Sequence, residues 1–335
     1  MIAEGRIIVD LGRPVRIRSS RAASVSGLLS GRRVDEALSL LPMLFSLCAH
    51  AHLAAARQAT GREIGPADGL MVLAESAREH LLRILLGWKG DGAPEMPAEP
   101  VMALVPDMKA ACEAGYGNAG TVAQALERYL EEHVFACPPA DFPKADLARW
   151  LRGAETAPAR YLRDVVARGW QGAGAVSPAF LPEVPAGELK QRMHEAGFCT
   201  TPEWRGAPRE TGPLARRCRV PVVAAVVAEH GAGLLARLVA RLADLALIPG
   251  EMRRAGMPVS GGLGLGVVET ARGRLAHAAR LEGDVIADYA ILAPTEWNFH
   301  PRGVAAQALE GLAPLPARAV IEAIDPCVDF ELRAA

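Results

Sequence analysis

The chain contains 335 residues, half of which are apolar, so it is long enough to bury a large hydrophobic core. Its 37 lysine and arginine residues nearly balance its 38 aspartate and glutamate residues, which gives a formal net charge of -1. This balance excludes a general electrostatic attraction to nucleic acid or to an anionic membrane surface, so partners must be inferred from local sites.

The first thirty residues contain short extended patterns. The segments RIIVD and PVRIR alternate apolar and polar residues between glycine and proline turns, which predicts a hairpin or meander. Glu4 and Asp10 interrupt the apolar residues at this end. We therefore expect no signal peptide and a cytoplasmic protein.

Helical spacing begins at residue 34. Residues 34–59 place apolar side chains three or four positions apart, which predicts one amphipathic helix. Cys48 and His52 stand four residues apart in it and are expected on one helix face, with His50 nearby. A thiol beside an imidazole can bind a metal or become a reactive thiolate. Taken alone, this spacing still favours packed side chains over a metal site.

Further helices are predicted at residues 67–88 and 121–135, joined by a proline-rich surface connection at 90–105. Short helices are expected between residues 137 and 208. The apolar segment 220–248 also contains charged residues, which predicts a soluble helix with one wet face and excludes a membrane span. Its charged or ionisable positions are Glu229, His230, Arg237, Arg241 and Asp244.

Strand patterns return in the last third of the chain, followed by two helices. The predicted strands are 264–269, 274–281 and 285–292, and the predicted helices are 304–312 and 317–324. Asp325 and Pro326 are expected to end the last helix.

These elements predict an α+β fold that is predominantly helical, in a single domain over residues 1–335. The expected parts are N-terminal strands at 1–33, a helical body at 34–250, a strand-rich segment at 261–295, and C-terminal helices with a cysteine-containing tail at 303–335.

The glycine-rich stretch GGLGLGVVET superficially resembles a phosphate-binding loop. It lacks the helix of a dinucleotide fingerprint and the Gly-Lys-Ser/Thr ending of a P-loop. We therefore expect no nucleotide there. Glycines at this point are interpreted as positions of close backbone packing before a strand.

The six cysteines are scattered without a Cys-x-x-Cys pair, which argues against a disulfide framework and a zinc ribbon. Cys327 follows the helix-ending Asp-Pro, eight residues before the last residue given. A packed thiol is the default interpretation for every cysteine taken singly. For Cys112, Cys137, Cys199 and Cys218 we predict no further role.

Several blocks, collinear along the chain, resemble the [NiFe]-hydrogenase large subunit. They are Glu4-Gly5, PMLFSLCAHAH, LAESAREHLLRILLGW, GAPRETGPLARR, GVVETARGRLAH, YAILAPTEWNFHPRG and IDPCVDFEL. The second resembles the family's Arg-x-Cys-Gly-x-Cys-x-x-x-His motif, and the last resembles Asp-Pro-Cys-x-x-Cys-x-x-His. This resemblance implies a hydrogenase large-subunit-like fold of reduced size.

The departures from the family pattern concern the metal ligands. The family supplies four thiolates, whereas here Phe45 and Phe330 occupy two of those positions. Cys48 remains at a bridging position and Cys327 at a terminal nickel position. The resemblance therefore implies no nickel, because half of its soft ligands are lost and phenyl rings take up space. A pair of cysteines is still expected to hold an iron that carries its own ligands.

Two further positions depart from the family. The family's magnesium site uses a glutamate and a C-terminal histidine, where this chain has Ser26 and Arg333, so no magnesium is expected. The sequence given ends two residues after Arg333. We therefore expect no extension for a maturation protease to remove.

Three retained residues match polar positions of the family. Arg272 matches an arginine that lies over the diatomic ligands of iron, and a guanidinium is a multiple donor suited to cyanide nitrogens. The resemblance also implies that His52 hydrogen-bonds a sulfur or a ligand. Glu4 matches a glutamate that transfers protons in the family.

Together these features resemble the HupK/HoxV-type hydrogenase formation proteins. The resemblance implies a non-catalytic scaffold that receives an Fe(CN)2CO unit from general hydrogenase maturation chaperones. Cys48 and Cys327 would hold this unit beside Arg272 and pass it to the apo large subunit. One alternative is a metal-free partner of the apo subunit or of other assembly proteins, and another is a divergent hydrogenase that still turns over hydrogen.

Overall fold

In the computed structural model of the protein, the described residues are 5–20, 24–90, 92–115, 118–177, 179–254 and 259–334, and the side chains of residues 24 and 25 are not described. Glu4 lies outside the described residues. The strands are β1 Arg6–Leu11, β2 Arg16–Ser19, β3 Val259–Gly262, β4 Leu265–Thr270, β5 Gly273–Glu282, β6 Val285–Leu292 and β7 Asp329–Ala334.

The helices are α1 Ser24–Gly27, α2 Val34–Leu44, α3 Ala49–Ala59, α4 Pro66–Gly87, α5 Glu99–Glu113, α6 Ala119–Leu130, α7 Leu147–Gly153, α8 Ala157–Ala167, α9 Ala186–Met193, α10 Pro213–Arg217, α11 Pro221–His230, α12 Leu234–Arg253, α13 Pro294–Asn298, α14 Val304–Leu309 and α15 Pro314–Ile324. A π-helical turn, Glu131–Phe135, continues α6, and a 3-10 helix spans Pro139–Lys144.

Most predicted elements are confirmed, including the N-terminal hairpin, the helices at 67–88 and 121–135, and the three strands after residue 263. The surface connection at 90–105 is partly wrong, because α5 already begins at Glu99 with Pro100 in its first turn. Proline fits the first turn of a helix, where its missing N–H has no intrahelical partner. A proline-rich composition alone does not distinguish this position from a loop.

The single helix predicted over residues 34–59 is wrong. The structure has two helices, α2 and α3, separated by Phe45–Cys48. Cys48 has φ of 58° and stands just before the first residue of α3. Its carbonyl oxygen accepts the N–H of His52 at 2.9 Å, so the four-residue relation survives although Cys48 itself is not helical.

The long helix predicted over 220–248 is also broken, between α11 and α12. Gly231 has φ of 75°, a conformation that suits glycine at a helix end, and it directly follows the last residue of α11. The predicted wet face is wrong as well, because Arg237, Arg241 and Asp244 are buried. Ion pairs replace their water, which periodicity alone does not reveal.

The two ends of the described chain meet in a three-stranded sheet with the order β2-β1-β7. β1 and β2 are antiparallel, whereas β1 and β7 run parallel, with Ile7 opposite Phe330. The sequence did not predict β7. This strand fixes the segment that follows Cys327.

The second sheet is antiparallel, with the order β3-β4-β5-β6, and α3 packs against β4 and β5. Gly266 on β4 lies so close to α3 that a Cβ there would overlap the carbonyl oxygen of Ala55. The interpretation of the glycine-rich stretch as a place of close backbone packing is confirmed.

The main hydrophobic core surrounds α12, which is buried at nearly every position. α4 and α6 pack against it. Within the described ranges, no helix combines the length and the apolar composition that crossing a membrane requires.

We predict that Gly266→Ala destabilises the protein by about 1–3 kcal/mol or more, because a methyl group has no space beside Ala55. The matched control is Gly262→Ala, since no atom lies within 4 Å of a Cβ at Gly262. Urea unfolding followed by circular dichroism measures both. Equal midpoints for the two variants would contradict the close contact.

Candidate functional site

Four of the five predicted site residues line one cavity of about 740 Å³. They are Cys48, His52, Arg272 and Cys327, and they are brought together from three distant parts of the sequence. Glu4, the fifth, lies outside the described residues, so its predicted role stays a prediction.

Cys48 enters the cavity from the break between α2 and α3. Its left-handed backbone is uncommon for a residue other than glycine, and such conformations concentrate at functional sites. Burial raises the pKa of the Cys48 thiol to about 12, although the nearby Arg272 cation opposes this shift. The thiol is therefore protonated at neutral pH until something stabilises its anion.

Arg272 lies in the two-residue turn between β4 and β5, where its backbone N–H donates to the Thr270 hydroxyl oxygen. Its Nη1 lies 3.6 Å from the Cys48 sulfur and 3.2 Å from a carboxylate oxygen of Glu79. Its Nε lies 3.5 Å from Asp325. Burial disfavours the cation, but attraction from Asp325 and Glu79 outweighs burial and holds the pKa of Arg272 above its ordinary value.

Asp325 ends α15 and is the anionic centre of the site. Its backbone is left-handed, with φ of 67°, and its side chain is fully buried. It forms ion pairs with Arg83, with Arg241 at 3.1 Å and with Arg272 at 3.5 Å. Burial raises the pKa of Asp325, but the three guanidinium groups outweigh it and hold this pKa well below its usual range.

The buried charges continue beyond Asp325 into the core. Arg241 lies 3.2 Å from Nδ1 of His80, and Nε2 of His80 lies 2.9 Å from Asp244. Asp244 also pairs with Arg216 at 2.6 Å, and Arg216 pairs with Glu269 on β4. Arg241 and Asp244, two of the charged positions expected on a wet face, thus belong to a network that fixes α12 against the site.

Cys327 is held in place by Thr295. Its backbone N–H donates to the Thr295 hydroxyl oxygen at 3.0 Å, and that hydroxyl lies 2.9 Å from the Cys327 sulfur in position to donate to it. Thr295 stands on α13, so this helix positions the second thiol.

His52 lies edge-on to a second buried histidine. Its ring stacks on Phe45, with the ring centroids 3.6 Å apart and the planes within 6°. Its Nδ1 lies 2.9 Å from Nε2 of His277, and Nδ1 of His277 lies 2.7 Å from the hydroxyl of Tyr289. His52 is therefore fixed in position within the cavity wall.

The two phenylalanines at the family's other cysteine positions behave differently. Phe45 lines the cavity beside His52, as expected for a side chain that takes up ligand space. Phe330 is not among the residues that line the cavity. Phe330 lies in β7, and the Arg318 guanidinium is 5.1 Å from the centroid of its ring. The expectation that Phe330 fills the site is therefore wrong.

Glu75 on α4 holds the first turn of α3, which follows the α2–α3 break, through hydrogen bonds. Its two carboxylate oxygens accept the backbone N–H groups of His50 and Ala51, each at 3.0 Å. These donors belong to the first turn of α3 and have no intrahelical acceptor, so Glu75 caps them from another helix. Burial raises the pKa of Glu75 to about 7, and the two backbone hydrogen bonds oppose this shift.

The other four cysteines are half-buried at the edges of the core. Cys199 alone among them lines the cavity, where its thiol donates to the Met193 carbonyl oxygen at 3.4 Å. Within the described ranges, no group of three or more histidine, cysteine, aspartate or glutamate side chains is arranged to hold a metal ion.

Sequence reasoning missed five residues that build the site: Glu79, His277, Tyr289, Thr295 and Asp325. All five lie within the blocks that resemble the family, and Asp325 was interpreted only as a helix end. A buried arginine needs anionic partners. The need of a buried Arg272 for anionic partners is the signal that points to the carboxylates of the same blocks, Glu79 and Asp325.

Comparison with known proteins supports the resemblance to hydrogenases and to hydrogenase expression/formation proteins. Residues 216–327 match the sequence profile of the family described as nickel-dependent hydrogenase. The chain is 31% identical to the hydrogenase expression/formation protein HoxV of Cupriavidus necator, over 99% of this chain and 96% of HoxV. It is 33% identical to the hydrogenase expression/formation protein HupK of Azotobacter vinelandii, over 92% of this chain and 90% of HupK.

Solved structures show the same fold. The [NiFeSe] hydrogenase of Desulfovibrio vulgaris Hildenborough has a TM-score of 0.55 and 17% identity, over 94% of this chain and 93% of that chain. The enzyme of Desulfomicrobium baculatum has a TM-score of 0.58 and 14% identity, over 98% and 95%. The predicted α+β fold of the hydrogenase large-subunit type is confirmed.

We predict that Asp325→Asn lowers the free energy of unfolding by about 3–5 kcal/mol, because it removes the anion from the buried guanidinium groups of Arg241 and Arg272 and from the partly buried one of Arg83. Urea unfolding at neutral pH measures this loss. Asp329→Asn is the matched control, since its ion pair with Arg6 is exposed and is worth about 1 kcal/mol or less. Similar losses in both variants would contradict the central position of Asp325.

We also predict a pH dependence from Glu75. Burial raises its pKa from an ordinary value of 4.5 to about 7 in the folded protein, so its contribution to stability is full below pH 4.5 and decreases as the pH rises through 7. The free energy of unfolding should fall relative to Glu75→Gln by up to about 3 kcal/mol over this range. Urea unfolding at several pH values tests this, with Glu113→Gln on α5 as an exposed control. A difference that stays constant with pH would contradict the shift.

Proposed function

The chain belongs to the family of hydrogenase expression/formation proteins that includes HoxV and HupK, and from this premise we propose that it carries part of the [NiFe]-hydrogenase active site during assembly. Its cargo is an iron with two cyanides and one carbon monoxide. The protein binds this cargo between Cys48 and Cys327 and passes it to the apo large subunit.

One observation supports the proposal above all others: two thiols and a buried guanidinium share one cavity. The Cys48 sulfur lies 3.6 Å from Arg272, and Cys327 lines the same cavity. Thiolates are soft ligands suited to a metal of this kind. Arg272 supplies a fixed cation for the thiolate that forms and several N–H donors for cyanide nitrogens.

The cavity has room for the cargo and for its exchange. A cavity of roughly 150 Å³ already admits a molecule as large as benzene. The cavity here is about 740 Å³. The remaining volume leaves space for an incoming or departing ligand, as a transfer between proteins requires.

The ligand set supports iron in preference to nickel. The family's two other thiolate positions hold Phe45 and Phe330, and Phe45 occupies the cavity wall. An iron that already has three strong ligands needs few from the protein. Two cysteines are therefore enough to hold it, whereas the nickel site of the [NiFe]-hydrogenase large subunit uses four.

Cargo binding must release a proton from Cys48, because burial keeps the thiol protonated and a metal binds the thiolate. The nearby Arg272 stabilises the resulting anion. The energetic cost of deprotonation weakens the holding of the iron. A weak hold suits a carrier that receives its cargo from general maturation chaperones and then gives it up.

We predict that Cys48→Ala and Cys327→Ala each abolish hydrogenase maturation, because each removes one of the two iron ligands. The measurement is hydrogenase activity in cells that lack the wild-type gene and express the variant. Activity is expected to fall to the level of cells without the gene. Cys112→Ala is the matched control, since Cys112 does not line the cavity, and it should preserve maturation.

Full maturation with both cysteine variants would contradict the carrier function and would favour a metal-free partner of the apo subunit. Immunoblotting must show that each variant accumulates to the wild-type level. Loss of maturation in the Cys112→Ala control would also contradict the proposal, since it would assign the effect to thiol loss in general.

A further inference from the structure

A chain of three buried side chains leads from the second sheet to the cavity. His52 on α3, His277 on β5 and Tyr289 on β6 are joined by hydrogen bonds of 2.9 and 2.7 Å. All three are buried, and His277 is fully so. His52 and Tyr289 line the cavity, whereas His277 connects them from behind.

His277 carries a single ring proton at neutral pH, because burial lowers its pKa to about 3. A neutral imidazole donates through one ring nitrogen and accepts through the other. If Nδ1 of His277 accepts from Tyr289, its Nε2 must donate to His52. If Nδ1 donates, the direction of both hydrogen bonds reverses.

Tyr289 decides the direction. Burial raises the pKa of its hydroxyl, so the O–H stays protonated. Within the part of the chain that the structure describes, His277 is the hydrogen-bond partner of this hydroxyl. If His277 donated to the tyrosine oxygen, no acceptor among the described residues would remain for the O–H proton, and buried donors are rarely left unpaired. Tyr289 therefore donates to Nδ1 of His277.

The direction then passes to His52. Nε2 of His277 donates, so Nδ1 of His52 accepts and cannot carry a proton. Because Nδ1 has no hydrogen, the ring proton of His52 must be on Nε2. Stacking on Phe45 at 3.6 Å holds the ring plane, so this tautomer is presented in a fixed orientation.

We infer that Tyr289 and His277 lock His52 in the tautomer protonated on Nε2, so that His52 does not act as a third iron ligand. An N–H has no lone pair for a metal, and Nδ1 is already used. Tyr289 and His277 are thus positioning residues. The exclusion of His52 from iron ligation rests on the proposed function, whereas the tautomer does not.

This inference explains how a cysteine and a histidine one helical turn apart avoid forming a tight metal site. A ligating histidine needs a free lone pair directed at the metal, usually with its other nitrogen donating to a carbonyl or carboxylate. Here the second nitrogen accepts, which reverses that arrangement. Iron held by two thiols, without a third protein ligand, can leave more readily.

The test is NMR of the metal-free protein with nitrogen-15-labelled histidine at neutral pH. Two-bond proton–nitrogen correlations distinguish protonated from unprotonated ring nitrogens, and His52→Gln and His277→Gln assign the two residues. The expected result is a protonated Nε2 and an unprotonated Nδ1 in both rings. A protonated Nδ1 in His52 would overturn the inference.

Tyr289→Phe provides the second readout. It removes the hydroxyl that sets the direction, so both tautomers of His52 should become populated and its Nε2 resonance should shift toward the unprotonated range. An unchanged His52 spectrum would overturn the role of Tyr289, and the wild-type spectrum decides the tautomer even where the variant does not fold. Because no iron is present, this result and the carrier function can fail independently.

Discussion

The burial of the Arg272 guanidinium is the constraint on which the rest of the site depends. A charge removed from water is costly unless charged or hydrogen-bonding partners replace that water. The partners of Arg272 are Glu79 on α4, Asp325 at the end of α15 and Cys48 before α3. Elements far apart in the sequence must therefore meet around one side chain.

The same arrangement fixes both sulfurs before any cargo is bound. Cys48 and Asp325 both have left-handed backbones, which place their side chains at the ends of helices and facing the same arginine. Thr295 fixes Cys327 through two short contacts. A closed structural metal site commonly uses four protein ligands. Two positioned thiols with a neighbouring cation suit a metal that arrives with ligands of its own and later leaves.

Local features of the fold were predictable from the sequence. Alternating residues predicted the hairpin and the strands of the second sheet, and Asp325-Pro326 predicted the end of α15. Motif resemblance brought Cys48, His52, Arg272 and Cys327 together, and the structure places all four in one cavity. Periodicity did not predict the break at Phe45–Cys48, because the segment remains apolar and helix-compatible on both sides.

Other features depend on contacts between distant residues, which a pattern in one segment does not contain. β7 forms only because β1 offers a parallel edge more than three hundred residues earlier. Arg241 and Asp244 are charged yet buried, because His80, Arg216 and Asp325 compensate them from other elements.

The proposal that this protein carries an iron with cyanide and carbon monoxide is tested most directly by infrared spectroscopy with iron and nickel analysis. The sample is wild-type protein purified anaerobically from cells that make the maturation machinery. Cyanide and carbon monoxide bands accompanied by iron without nickel are the predicted result, whereas a spectrum without these bands and a protein without iron would contradict it.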